Sequence, residues 1–170
     1  MNLLCIDPGP KVSGVICIDT ETKEVTGTWG AIDNELFLKQ IPFIHAKTCD
    51  HLAFEMIANM GMQVGTSVFE TVLWSGRFME AFGADRTDRV YRKDVKMEMC
   101  GTTRAKDKNI RLSILDQYEP AGGGATPQVG TKSKPGPLYG VNKHAWSALA
   151  VGLTWIQQRE VERWKQRLGR

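Results

Sequence analysis

A mixed-sheet α/β fold is predicted for this 170-residue chain by three features. Two apolar, β-rich runs open the chain around a Pro/Gly turn. Further strand-like apolar runs then alternate with segments of helical period. A long Ala-rich helix closes the chain. The opening hairpin demands antiparallel pairing, and the later helical crossovers demand parallel pairing, so a sheet of about five strands with flanking helices is expected.

Residues 1–7 (MNLLCID) form the first strand, and Pro8-Gly9-Pro10 turns the chain. Residues 14–19 (GVICID) return as a second strand. A third strand over 24–32 extends the meander. A short helix over 34–41 is expected to stop at Pro42, since proline removes a helical N–H and crowds the preceding turn. The compact run 51–57 (HLAFEMI) predicts a buried fourth strand, and 59–65 (NMGMQVG) a glycine-bearing loop. Helical period runs from 67 to 82, where Ser67 and Glu70 match a capping box. A fifth strand over 89–91 precedes helices over 94–99 and 105–117, separated by Gly101-Thr102-Thr103. The Gly/Pro-rich stretch 119–140 reads as a mobile loop within one domain spanning 1–170. A helix from 142 to about 166 follows.

Composition sets limits. Apolar residues at 42% and charged residues at 24% are ordinary for a globular protein. No apolar run approaches the ~20 residues of a membrane span, and the N-terminus lacks a basic leader region. A cytoplasmic protein without membrane partners is expected. The four cysteines form no CxxC pair and read as free thiols, buried where they lie in strands. Net charge is only +3, but residues 86–134 hold eleven Lys and Arg against six Asp and Glu. That local excess marks either a solvated face or a polyanion-binding surface.

Asp7 and Glu55 stand out as acids inside apolar strands. A carboxylate there is expensive unless a cation or hydrogen bonds compensate it. Asp7 also suits a turn start, and Glu55 also suits an internal pair with Lys or Arg. His144 opens the Ala-rich helix. Two carboxylates and an imidazole around one point suit Mg²⁺ or Mn²⁺, and two such ions suit phosphodiester chemistry.

Four segments in this order carry a family resemblance: IDPGPKVSGVICID at 6–19, LAFEMI at 52–57, VKMEMCGTTRAKDKNIRLSIL at 95–115 and HAWSALAVGL at 144–153. Together they resemble the RuvC family of Holliday-junction resolvases, in the RNase H-like superfamily, and look most like its compact phage or viral branch. The family pattern has a D-P-G hairpin, a strand Glu, a basic G-x-G-R-A-x-K-like run and an acid- or His-led D/H-x-x-D-A-L-A helix. The resemblance implies an RNase H-like fold and a metal-dependent, structure-selective endodeoxyribonuclease. It implies branched DNA, above all four-way junctions, as substrate, with roles in recombination and repair. It also implies a homodimer and, for a viral protein, the host cytoplasm. Asp7, Glu55 and His144 would be the metal ligands.

The chain departs from the family pattern at Ser147, where an Asp is expected three residues after His144. Three accounts stay open. Ser147 or water completes the shell; another acid, such as Asp107, substitutes; or the chain binds branched DNA with little cleavage. Lys93, Lys96, Arg104, Lys106, Lys108 and Arg111 form the expected phosphate-contact surface. Met60 and Met62 are candidate wedges for an opened junction, or ordinary packing residues. The D-x-G hairpin also resembles the phosphate loop of sugar-kinase-type and Hsp70-type ATPases. Those proteins need a second D-x-G half, which this chain lacks.

Overall fold

The computed structural model describes residues 1–58 and 64–169. A five-stranded sheet runs in the order β3-β2-β1-β4-β5. Its strands are β1 (Asn2–Asp7), β2 (Val12–Asp19), β3 (Val25–Asp33), β4 (His51–Met56) and β5 (Thr87–Tyr91). The first three form the antiparallel meander, with Asp7 opposite Gly14. β1, β4 and β5 are parallel, pairing Ile6 with Phe54 and Glu55 with Val90. The expected mixed sheet is therefore present, with β1 at its centre.

Alternation along the strands sorts two cores. Leu4, Ile6, Val15, Leu52 and Phe54 face α1 (Asn34–Lys47) and α2 (Thr66–Phe82), meeting Phe37, Ile41, Phe78 and Phe82. Leu3, Cys5, Ile16, Ile18 and Ala53 face the other way. They meet α3 (Arg92–Cys100), α4 (Asp107–Leu115) and α5 (Ala145–Arg167). The first half of α5 is buried nearly all round, which explains its unbroken run of small and apolar residues. Its second half is charged and exposed.

Two glycines let α5 lie flat on the sheet. A Cβ on Gly14 would stand 2.3 Å from the His144 carbonyl oxygen, and one on Gly152 would stand 2.5 Å from Cys5 Sγ. Strand β2 can approach the start of α5, and α5 can approach β1, because neither position carries a side chain.

Three local expectations are corrected. Pro42 does not end α1, which continues to Lys47. Pro42 lies on the exposed side, and buried Phe37, Ile41 and Ile44 anchor the helix on both sides of it. The capping box at Ser67 does not form. Gly65 is the N-cap, and the Ser67 carbonyl accepts from Thr71 Oγ1 at 2.8 Å. The last helix begins at Ala145 rather than 142, because Lys143 sits at φ 43°, outside helical backbone space. Residues 119–140 form a loop with their own hydrogen bonds, including Gly136 N to Val129 O at 3.0 Å. Cys5, Cys17 and Cys49 are buried free thiols and Cys100 is half-buried. Among the described residues, no helix is long and apolar enough to cross a membrane.

Candidate active site

The carboxyl ends of parallel β1, β4 and β5 lie at one edge of the sheet, beside the point where it changes from antiparallel to parallel. Ligand sites of open α/β sheets form at such edges. Asp7 ends β1, and Glu55 is the penultimate residue of β4. Each directly follows the last pair of the β1–β4 ladder, Ile6 with Phe54, so they are neighbours in register. Both have the parity of Cys5 and Ala53, which places them on the α5 face.

The turn after Asp7 is stapled by a buried pair that sequence reading did not find. Ser13 Oγ donates to Asn34 Oδ1 at 2.7 Å and accepts from Gly9 N at 3.3 Å. Asn34 Nδ2 donates to Gly9 O at 2.9 Å. The hairpin that carries Asp7 is thereby tied to the start of α1.

Burial dominates the electrostatics. It pushes the Asp7 carboxyl up to about 6, against the opposing charge of Arg92 and the Ser147 hydroxyl, with Asp107 adding to the rise. It pushes Glu55 up to about 7, against Arg92, with the charges of Asp7 and Asp107 adding to the rise. Two desolvated acids, with the charge of Asp7 raising Glu55 further, create a strong demand for positive charge.

Arg92 meets that demand. It begins α3 directly after β5, and its Nη1 donates to Glu55 Oε2 at 2.9 Å. Its Nη2 pairs with Asp107, the first residue of α4. Sequence reading counted Arg92 only as surface charge. Its signal was its place at the end of the strand beside Glu55. The alternative pairing of Glu55 with an arginine is thus realised, alongside its convergence with Asp7.

His144 is the residue before α5, with Nδ1 3.8 Å from Asp7 Oδ2. Ser147 lies on the first turn of α5, with its hydroxyl acting on Asp7. The structure therefore gathers Asp7, Glu55, His144 and Ser147, and adds Arg92 and Asp107. Among the described residues, no group of three or more His, Cys, Asp or Glu is arranged to enclose a metal ion. The donors that do converge are carboxylate oxygens. That chemistry fits Mg²⁺ or Mn²⁺, since Mg²⁺ commonly takes one or two carboxylates and fills its shell with water and phosphate.

Beside Asp7 and Glu55, which are not themselves in its lining, lies a cleft of about 580 Å³ lined by Arg92, Asp107, Lys108, Arg111, Lys143, His144, Trp146 and Ser147, among others. Of the expected basic surface, Lys108 and Arg111 reach this cleft. Lys93, Arg104 and Lys106 are exposed outside its lining, and Lys96 is half-buried on α3. Lys93 Nζ lies 6.0 Å from the Tyr91 ring centre. Met60 and Met62 lie outside the described residues.

No protein-family model matches this chain, and no curated protein matches it. Solved structures do. A Thermus thermophilus RuvC structure matches with a TM-score of 0.64 at 17% identity, covering 94% of this chain and 96% of that one. T. thermophilus RuvC in complex with a Holliday junction substrate gives 0.65 at 14% identity, with the same coverage. Like that of its structural neighbours, the fold of this chain is RuvC-like, with a five-stranded mixed sheet of RNase H type.

Proposed function

We propose that this chain is a divalent-metal-dependent endodeoxyribonuclease that cuts branched DNA, four-way junctions above all. The observation that carries this reading is the convergence of Asp7 and Glu55, two acids with raised pKa values, at the carboxyl edge of a RuvC-like sheet. Such a pair is costly to the fold and useful to a bound cation.

Asp7 and Glu55 would hold Mg²⁺ or Mn²⁺, in two ions per site, with His144 beside Asp7. A bound divalent ion supplies an activated water and charge for the leaving oxygen. The chain's own residues then have separate duties. Ser147 on α5 and His144 just before it fix the Asp7 carboxylate. Arg92 balances Glu55 and Asp107. Lys108 and Arg111 attract the phosphate backbone into the cleft. Asp107 adds negative charge near Asp7, where Ser147 supplies none, while remaining paired with Arg92.

A homodimer suits the same reading, because two copies can address both sides of a four-way junction. Exposed Phe69 and Leu73, one turn apart on α2, offer apolar surface to a second copy. A pure binding role gives no reason for two desolvated carboxylates, and the ATPase-like reading gains no second D-x-G.

Asp7→Asn and Glu55→Gln test the assignment, since each removes a charge and keeps side-chain size. Cleavage of a labelled four-way junction should disappear while gel-shift binding persists. Full cleavage by Asp7→Asn at saturating Mg²⁺ would reject Asp7 as a ligand.

A further inference from the structure

Beside the two carboxylates, the cleft has a wall that takes no part in holding the metal. Trp146, on the first turn of α5, is half-buried and faces Arg111, whose Cζ lies 4.5 Å from the ring centre. Lys108 and Arg111 sit three residues apart on α4, hence on one helix face. Lys143 comes from the turn before α5. Among the described residues, none of these three cations has an ion-pair partner. The acid in the lining, Asp107, is already taken by Arg92.

We propose that this wall is a nucleotide pocket, in which Trp146 stacks one unpaired base and Lys108, Arg111 and Lys143 hold the flanking phosphates. The inference rests on the reading of the cleft as DNA-cutting and deepens it, by naming the substrate feature the cleft recognises. A volume of about 580 Å³ lies within the ~300–1,000 Å³ range of small-ligand sites, ample for one nucleotide. An aromatic ring amid unpaired cations is the recurring chemistry of single-stranded nucleic-acid binding. The planar Arg111 guanidinium now covers the ring face. It can slide aside for a base, or stack on the base's far side while keeping its charge near phosphate.

The position explains a preference for branches. Ser147 lines the same cleft as Trp146 and its hydroxyl acts on Asp7, so a base on Trp146 lies beside the backbone presented to the carboxylates. Intact duplex keeps its bases stacked and offers none to the ring. A branch point, with unpaired or easily unstacked nucleotides, offers one at low cost.

The test uses full-length protein in EDTA and two tetramers with identical phosphates: (dT)4 and its fully abasic counterpart. Affinity is read from tryptophan fluorescence and checked by calorimetry. Wild type should bind (dT)4 roughly tenfold tighter than the abasic tetramer, in line with stacking of one base. Trp146→Leu, which keeps apolar volume without a ring, should lose that preference and leave abasic binding unchanged. Trp146→Phe should keep part of it. Equal affinity of wild type for the two tetramers overturns the proposal without needing any variant. A base preference that survives in Trp146→Leu overturns it as well. A gel shift with a four-way junction separates the two levels. Junction binding without base preference sinks the pocket alone, whereas failure to bind the junction sinks the DNA-cutting reading too.

Discussion

Arg92 Nη1 donates to Glu55 Oε2 at 2.9 Å, joining the first residue of α3 to the buried acid of β4. The same guanidinium holds Asp107, so a single side chain ties β4, α3 and α4 together at the mouth of the cleft. In Arg92→Gln, the charge that opposes the burial of Glu55 is gone. The Glu55 carboxyl should then titrate above its wild-type value of about 7, followed by carbon-detected NMR. An unmoved midpoint would mean that solvent, not Arg92, screens Glu55.

Stability without metal should fall between pH 5 and 8. Asp7 and Glu55 bind protons more tightly in the folded chain, at about 6 and about 7, than their ordinary values of 3.8 and 4.5. Their protonated forms therefore favour folding. That contribution is full below about pH 4 and is lost as pH rises through 6 and 7. Counted over the whole rise from about pH 4, the loss is about 3 kcal/mol for each group, and the part above pH 5 falls within this window. Asp19, held at about 2 by the backbone N–H groups of Thr22 and Glu21, works the opposite way at lower pH. Urea unfolding in EDTA across this range checks the slope, which Asp7→Asn should flatten. Added Mn²⁺ should restore stability most at pH 8, where the ligands are ionised. A metal-free curve that rises from pH 5 to 8 would show that burial does not set these two titrations.

Gly152→Ala should destabilise the fold although alanine favours helices. Its Cβ would meet Cys5 Sγ at 2.5 Å, on the central strand. Overpacking of this kind costs ~1–3 kcal/mol, against a gain of ~1 kcal/mol in helix propensity. Cys5→Ala makes room, so the double variant should be more stable than Gly152→Ala alone. Additive losses would show that the two side chains do not meet.

Replacing Lys108 and Arg111 with alanine should weaken junction binding and lower the log–log salt slope by ~0.9 for each phosphate no longer neutralised. The same pair of changes at Lys93 and Arg104, outside the cleft, should do less. Equal effects from the two pairs would argue for a diffuse basic face.

The legible part of this molecule was set by strand chemistry. Asp7 and Glu55 interrupt apolar runs, and an acid in a buried strand announces itself without any coordinates. His144 was legible as the polar residue opening the Ala-rich helix, and Ser147 only through the resemblance, as the place where an Asp is expected. Asp107 was named as a possible substitute acid, but Arg92 and its bridging of Glu55 to Asp107 stayed hidden because those links span 37 and 15 residues and depend on how the β5–α3 junction turns. Trp146 read as a helix residue because nothing local shows that α4 leaves its ring at the edge of a cleft. Pro42 misled because its local penalty is outweighed by three buried anchors on the same helix.

Cleavage of a labelled four-way junction, compared with linear duplex of the same sequence in Mg²⁺, Mn²⁺ or EDTA, is the decisive experiment for a metal-dependent junction nuclease. Paired cuts near the branch should appear in either metal and vanish in EDTA. Duplex should be cut little, and Asp7→Asn should cut neither substrate. Junction cleavage that persists in EDTA, or a junction that is bound but never cut with any divalent metal, would overturn the assignment of Asp7 and Glu55 as the metal-holding pair of a nuclease.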